Sequence, residues 1–353
     1  MNLKKLRNSI DSIDKKILRL LNSRAGLAKS IAAVKQKTGR SAYSPDRETE
    51  VLRKISQMNK GPLTAGALES IYKEIMSYSL SVARPLNIAY LGPKASFSNL
   101  AAMKRFGSQV DYLACESIDD VFKEVERGNA DYGVVPIENS IEGAVTYTLD
   151  TFVDSDLKIC SQLMLDITHC LLVKNLSVKI ERIYSNPQVF GQCKGWLQKN
   201  LPGADKIEVS STTRAAQIAA KEKNCACIAS SLAAKVYGLK VVACGIEDSL
   251  HNVTRFLVIG NSDVAPTRSD KTSILFSIKD RVGALHDMLV PFKKYKINLT
   301  KIESRPSKKR AWDYYFFIDM EGHRNEPKVK RALAELEGKC KFLKILGSYP
   351  NNG

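Results

Sequence analysis

From Leu3 to Val34, apolar residues recur at alternating steps of three and four: Leu3, Leu6, Ile10, Ile13, Ile17 and Leu20, then Leu27, Ile31 and Val34. That spacing draws one apolar seam along a single long helix. At 1.5 Å per residue the helix reaches about 50 Å. Gly39 closes the run, and Ser44-Pro45-Asp46-Arg47-Glu48 opens a second helix with Pro near its start and acids in its first turn. A third helix follows Gly61-Pro62, with Thr64 as N-cap and Pro85 as its stop. Two shorter helices cannot cover so long a seam, so this block predicts pairing with a second copy. One position on the seam is polar: Arg24.

Beyond this block the hydrophobic period changes twice, and charge changes with it. The 353 residues suit two or three domains at roughly 100–200 residues each. Residues 1–85 carry a net charge of +10, residues 86–267 carry −2 and residues 268–353 carry +9, within a total of +17. Such an excess raises nucleic acid or an anionic surface. It sits only at the two ends, without a recognition motif or a basic tail, so no nucleic acid is expected and small anions fit better. The Lys308-Lys309-Arg310 run reads as solvated surface.

Apolar residues at 44% and charged residues at 26% describe a globular chain. No apolar run reaches the ~18 residues of a membrane span, and Met1-Asn2-Leu3-Lys4-Lys5-Leu6-Arg7 lacks a signal peptide's apolar core. The expectation is a cytoplasmic protein without membrane contact. The eight cysteines read as reduced core thiols, although Cys225-Ala226-Cys227 would share a strand face and leaves a redox or metal pair open. The four histidines show no metal-ligand spacing. Neither metal nor cofactor is expected.

The middle block alternates strands and helices and repeats one device: an apolar strand, a hydroxyl- or amide-rich turn, then a helix start. The turns are 92–98, 137–140, 185–188, 210–213 and 230–231. Each can simply cap a helix. Five in one α/β block can also gather free N–H groups at the carboxyl edge of a sheet, where open sheets bind anions. The last block predicts strands over 272–278, 298–304, 312–320 and 342–348 and helices over 283–295 and 326–338. That β-α-β-β-α-β order is ferredoxin-like.

In the helical block the chemistry-bearing residues are Arg7, Arg24, Lys35, Arg47 and Glu48. Arg24 and Lys35 are eleven apart, about three turns, so they share a face. A guanidinium on an apolar seam is costly unless it meets an anion. Either it pairs with a helix carboxylate such as Glu48, or several cations converge on a small polycarboxylate. No nucleophile or general-base His accompanies them, which suits catalysis by binding geometry and charge stabilisation.

The pattern Leu6-Arg7-x2-Ile10-x3-Asp14-x2-Ile17-x2-Leu20-Leu21-x2-Arg24, followed by Lys35 and Arg47-Glu48, resembles the all-helical chorismate mutases. The resemblance implies an intertwined homodimer that rearranges chorismate to prephenate. Arg24 and Arg47 would grip the substrate carboxylates, with Arg7 reaching over from the partner chain. Lys35 would stabilise charge on the ether oxygen, and Glu48 would hold a hydroxyl. The family's Gln or Glu near the end of the third helix is replaced by Ser81-Val82-Ala83-Arg84, so a helical block kept for dimerisation alone stays open.

Gly92-Pro93-x-Ala95-Ser96-Phe97-Ser98, then Asp131-Tyr132-Gly133-Val134-Val135-Pro136-Ile137-Glu138-Asn139-Ser140-x2-Gly143, resemble the prephenate dehydratases. Tyr184-Ser185-Asn186-Pro187-Gln188-x3-Gln192-Cys193 and Asn252-Val253-Thr254-Arg255-Phe256 continue the match. The implied fold is two α/β lobes like a periplasmic binding protein, with the site in the cleft. Thr254 is then the donor to the leaving hydroxyl of prephenate. Ser96, Asn139, Ser185, Gln192 and Arg255 would orient the ring and hold a carboxylate.

The last block resembles ACT domains, through Gly283-Ala284-Leu285 and Glu303-Ser304-Arg305-Pro306. In such enzymes these motifs bind phenylalanine between two ACT domains, which implies feedback inhibition. The whole chain thus reads as multidomain. Residues 1–85 form an all-α mutase domain, 86–267 an α/β dehydratase domain and 268–353 an α+β ACT domain. Order and content are those of the bifunctional chorismate mutase/prephenate dehydratases, expected as homodimers or as tetramers built from two. A non-catalytic two-lobed sensor of small anions is the alternative from another class.

Overall fold

Three helices open the chain: α1 (Leu3–Lys37), α2 (Pro45–Met58) and α3 (Ala65–Ser81). The computed structural model describes residues 2–38, 43–82, 85–177, 179–249, 251–278, 281–307 and 314–351. Gly39, Ala83, Arg84 and the Lys308-Lys309-Arg310 run lie outside them. Two compact units result, residues 1–87 with 106–111, and residues 88–105 with 112–353.

In the helical unit the local signals act as the sequence predicts. Pro45 takes the first position of α2, with Asp46 and Glu48 in the first turn. Thr64 Oγ1 accepts the Ala67 N–H at 3.2 Å and caps α3. Helix α1 buries none of its residues within the chain. Its seam stays in solvent: Ile10 is 57% exposed, Leu20 69% and Leu27 65%. An apolar row of that length is a large exposed patch for a single chain.

The second unit starts with β1 (Asn87–Leu91), α4 (Phe97–Phe106), β2 (Asp111–Cys115), α5 (Ile118–Glu126), β3 (Tyr132–Asn139), β4 (Gly143–Ala144), α6 (Thr146–Asp154) and β5 (Lys158–Asp166). It continues with β6 (Cys170–Val173), β7 (Arg182–Ser185), α7 (Pro187–Gln192), α8 (Lys194–Asn200), β8 (Asp205–Glu208), α9 (Thr212–Ala219), β9 (Cys225–Ala229), α10 (Ser231–Tyr237) and β10 (Lys240–Cys244). Strand β11 (Val253–Gly260) then returns to the first sheet. That sheet runs β2-β1-β3-β11-β5, with β4 on β3, and β11 is antiparallel to both of its neighbours. The second sheet runs β10-β6-β9-β7-β8. The chain therefore crosses between sheets twice, after β5 and before β11. The crossings are tied together by the Ile167 N–H donating to the Asn252 carbonyl at 2.8 Å.

The remaining elements are β12 (Asp270–Ser277), α11 (Ala284–Lys294), β13 (Leu299–Pro306), β14 (Tyr314–Glu321), α12 (Pro327–Glu337) and β15 (Phe342–Pro350). The predicted β-α-β-β-α-β order is the one found, as an antiparallel sheet β13-β14-β12-β15. Period-two alternation gives this sheet two apolar faces. Ile274 and Phe276 pack on the helices with Met288, Phe292, Val329 and Leu333. Leu275, Phe317, Leu346 and Tyr349 pack instead on Ile137, Phe152, Ile159 and Leu257 of the dehydratase-like region.

Cys170 and Cys244 are joined by a disulfide across the β6–β10 pair, which corrects the expectation that all eight cysteines are free. They lie 74 residues apart, and pairing over such a separation is not deducible from spacing. Cys225 and Cys227 are buried free thiols, with burial raising the pKa of each. Among the described residues no group of His, Cys, Asp or Glu could hold a metal ion, and no helix is long and apolar enough to cross a membrane.

The contact between β15 and β5 is close enough to demand glycine. A Cβ on Gly347 would stand 2.3 Å from the Ile159 carbonyl oxygen, which is backbone and cannot rotate away. We expect Gly347→Ala to destabilise the second unit by about 1–3 kcal/mol, the usual cost of overpacking, read as a lower Tm in thermal unfolding.

Candidate functional site

Strand β3 ends at Asn139 just where β11 begins, and the two strands pair Asn139 with Thr254. The Asn139 side-chain oxygen accepts the backbone N–H groups of Ile141 at 2.9 Å and Glu142 at 3.0 Å. Peptide N–H groups only donate, so they dictate which end of the amide is which. The Asn139 amide nitrogen must then face the other way. It donates to Thr254 Oγ1 and to Asn252 Oδ1, both at 2.8 Å.

Orientation propagates from there. With its oxygen facing Asn139, Asn252 donates through Nδ2 to Gln192 Oε1 at 3.2 Å. The same Gln192 oxygen meets His169 Nε2 at 2.8 Å, which makes Nε2 the protonated ring nitrogen. Gln192 Nε2 donates to Glu142 Oε1 at 3.2 Å, and Gln188 Nε2 to Glu142 Oε2 at 3.1 Å. Two peptide N–H groups thus set the polarity of five side chains.

The cluster draws on both sheets and both crossings. Thr254 and Asn139 come from the first sheet, and Gln192 ends α7 beside the second. Asn252 and His169 lie on the crossing segments. Thr254 is 8% exposed, Asn252 4% and His169 1%. Burial pushes the His169 pKa below its ordinary value, against smaller opposing effects of Gln192 and Glu247. Its Nδ1 is buried with no partner among the described residues. The histidine is neutral and holds Gln192 by a single donated hydrogen bond.

Asn252, His169 and Glu142 are the members that sequence reasoning missed. Asn252 stands two residues before Thr254, the period that keeps a strand's side chains on one face. His169 and Glu142 carry no comparable spacing signal. The hydroxyl-rich turns act as caps: Ser96, Asn186, Ser211 and Ser230 each accept the N–H three residues on.

Two expected substrate contacts, Ser185 and Arg255, have protein partners in this structure. Ser185 is fully buried and donates to the Ile228 carbonyl at 3.0 Å, tying β7 to β9. Arg255, next to Thr254 on a strand, points to the opposite face. It is 6% exposed and donates to Gln162 at 2.9 Å, Asp319 at 2.5 Å and Tyr349 at 3.0 Å. In this structure the guanidinium is thus engaged by side chains of the protein. Ser96 is partly buried, donating to the Leu91 carbonyl at 3.1 Å. Ala95 before it has a φ of 72°, left-handed backbone that favours glycine.

In the helical unit, Arg24 donates to the Ile75 carbonyl at 3.4 Å and to Ser79, both on α3. Lys35 donates to Ser44 at 2.6 Å. Both are half-buried, as the shared face predicts. Arg7 is exposed, and Arg47 pairs at 2.5 Å with Glu50 of its own helix. Glu48 is half-buried. In the ACT-like region, Gly283, at φ 76°, immediately precedes α11, which starts Ala284-Leu285. Glu303-Ser304-Arg305-Pro306 ends the edge strand β13, and Arg305 donates twice to Asp150 at 3.3 Å.

The arrangement of helical block, α/β region with a Thr–Asn pair and terminal β-α-β-β-α-β sheet defines a mutase–dehydratase with an ACT module. Models of known families match in that order: chorismate mutase type II over residues 6–84, prephenate dehydratase over 88–264 and ACT domain over 272–338. The bifunctional chorismate mutase/prephenate dehydratase of Aquifex aeolicus is 51% identical over 353 residues, covering 99% of this chain and 98% of that protein. That of Pseudomonas aeruginosa is 46% identical over 355 residues, covering 99% and 97%. The solved prephenate dehydratase of Arthrobacter aurescens in complex with L-Phe is 33% identical, with a TM-score of 0.70 over 75% of this chain and 90% of that one. The chain belongs to the bifunctional chorismate mutase/prephenate dehydratase family. The dehydratase-only and sensor readings give way to that assignment.

The neutral histidine has a pH consequence. The unfolded chain's His169 takes up a proton near pH 6.5, and the buried ring resists it because desolvation lowers its pKa. This part of the stability is present above pH 6.5 and falls with acidification until the folded ring protonates, by at most about 1.4 kcal/mol per pH unit. Urea unfolding between pH 7.5 and 5 should show that extra slope in the native chain and lack it in His169→Gln.

Proposed function

We propose that Thr254 is the hydrogen-bond donor to the departing hydroxyl of prephenate. The observation that carries the reading is the Asn139 amide donating to Thr254 Oγ1 at 2.8 Å. An oxygen that already accepts from Asn139 turns its one proton elsewhere. As the side-ring carboxylate leaves as CO2, its electron pair enters the ring and the C–O bond at the far carbon breaks. Hydroxide departs with that bond's electrons and, on taking a proton from solvent, becomes water, leaving aromatic phenylpyruvate. Thr254 stabilises the developing negative charge on this oxygen. Asn139 and Gln192 orient the substrate, with Ser96 at the rim and Asn252 and His169 holding the amides in place.

In the helical domain Arg24, Arg47 and Arg7, the last from a partner chain, bind the chorismate carboxylates. Lys35 stabilises the ether oxygen as its bond to carbon breaks, and Glu48 holds a hydroxyl. The exposed α1 seam supports a homodimer, since only a second helix of similar length covers it. The reading also takes the α/β region as two lobes like a periplasmic binding protein and divides the chain at 85/86 and 267/268. It takes the protein as cytoplasmic. Phenylalanine binds at Gly283-Ala284-Leu285 and Glu303-Ser304-Arg305-Pro306 and inhibits the dehydratase. The L-Phe complex of the Arthrobacter aurescens relative supports this.

Thr254→Ala should lower kcat for phenylpyruvate formation by about 100-fold with KM for prephenate within a fewfold, while Thr254→Ser keeps most of the activity. Unchanged turnover in the alanine variant removes Thr254 from the mechanism. Arg24→Ala should abolish the loss of chorismate absorbance and leave prephenate turnover intact. The paired changes Ile10→Glu and Ile17→Glu should lower the sedimentation coefficient of the full chain as the helical domains separate, with mutase activity lost in parallel.

A further inference from the structure

The face of β11 opposite Thr254 is held by the ACT domain. Asn139 and Thr254 pair across β3 and β11 on one side of the sheet, and their neighbours Glu138 and Arg255 pair next to them. Alternation sends that second pair to the other side. There each meets a residue of the ACT sheet. Lys301 of β13 donates to Glu138 at 2.6 Å, and Asp319 of β14 accepts from Arg255 at 2.5 Å. Lys301 and Asp319 are themselves cross-strand partners within the ACT sheet.

Burial makes this grip rigid. Arg255, Asp319 and Tyr349 are 6%, 7% and 0% exposed. Asp319 accepts from Ser273 at 2.5 Å, and the Tyr349 hydroxyl lies between Ser273 and Arg255 at 2.6 and 3.0 Å. A charge pair in such surroundings tolerates little displacement, because separating the partners strands each in a low-dielectric interior. Arg255, Lys301, Asp319 and Ser273 also line a cavity of about 20 Å³, room for no more than a single water. The cluster is on the side of the sheet away from Thr254, so it takes no part in chemistry.

We propose that Arg255 and Asp319 are positioning residues through which the ACT domain sets the Thr254 hydroxyl, and that phenylalanine inhibits by moving this pair. Strand β13 carries the route. Its alternate residues Lys301, Glu303 and Arg305 share the inner face, with Lys301 on Glu138 and Arg305 on Asp150. The segment assigned above to phenylalanine thus lies on the same strand as the lysine that holds Asn139's neighbour. A ligand that shifts β13 shifts Glu138 and Arg255, and each is one peptide away from the Asn139–Thr254 hydrogen bond. This deepens the functional reading and rests on Thr254 as donor.

The test uses the full chain. Asp319→Asn, Tyr349→Phe and the packed apolar pair Arg255→Met with Asp319→Leu are compared for prephenate turnover, inhibition by saturating phenylalanine and phenylalanine binding by calorimetry. We expect kcat to fall about tenfold or more with KM within threefold, since a small misplacement of the donor is costly. Phenylalanine should still bind within about threefold of the native Kd, yet remove less than half of the remaining activity, since the coupling and not the ligand site is cut. A purely structural role would lower Tm and leave fractional inhibition unchanged. Native kcat together with native inhibition in the apolar pair overturns the proposal. If that pair does not fold, the same result in Tyr349→Phe, which loses one hydroxyl, overturns it. Thr254→Ala measured alongside separates the two readings: retained turnover there refutes the donor, whereas retained inhibition in the Asp319 and Tyr349 variants refutes the coupling.

Discussion

Strand β11 lies between β3 and β5, antiparallel to both, and its period-two alternation is the constraint on which the second unit depends. One face presents Thr254 to a polar cluster, and the other buries Arg255 against Asp319 and Tyr349. Because the strand is hydrogen-bonded on both edges, neither face can move alone. The polar cluster and the ACT packing are therefore mechanically one problem. The close approach of Gly347 to Ile159 adds a second point at which the two sheets meet backbone to backbone.

The cluster around Thr254 owes its polarity to geometry rather than to charge. Asn139, Asn252, Gln192 and His169 are neutral groups whose donors and acceptors are set in series from two peptide N–H groups. Such a series matters because a reversed Asn139 amide would turn its oxygen, an acceptor, toward Thr254 Oγ1 and draw off the hydroxyl proton. It also spans the crossings between the sheets, so the relative placement of the two sheets and the orientation of the Thr254 hydroxyl are linked. The Cys170–Cys244 disulfide follows directly after His169 and tethers that crossing to β10.

Much of this was legible in the sequence, for identifiable reasons. The heptad seam predicts α1, and its apolar members are exposed in the single chain. Pro45 and Thr64 mark helix starts because their backbone chemistry is local. The β-α-β-β-α-β order follows from alternating periods, and Asn139, Gln192 and Thr254 lie in motifs that meet in the structure. Arg255 stands next to Thr254 on β11, and strand alternation sends it to the other face, where it meets Asp319. The bond from Ser185 to the Ile228 carbonyl was not legible, because a serine in a strand-ending motif gives no sign of whether its hydroxyl reaches the next strand.

What the sequence by itself determined is the set of elements, their order and the family, since these rest on periodicity, capping and contiguous motifs within short stretches of chain. The fold decided what depends on distant segments meeting. Examples are His169 on Gln192, Cys170 on Cys244 across 74 residues, and Arg255 on Asp319. A side chain's partner is a property of three-dimensional distance. Only the closed sheets bring an ACT carboxylate within 2.5 Å of the guanidinium beside the dehydratase threonine.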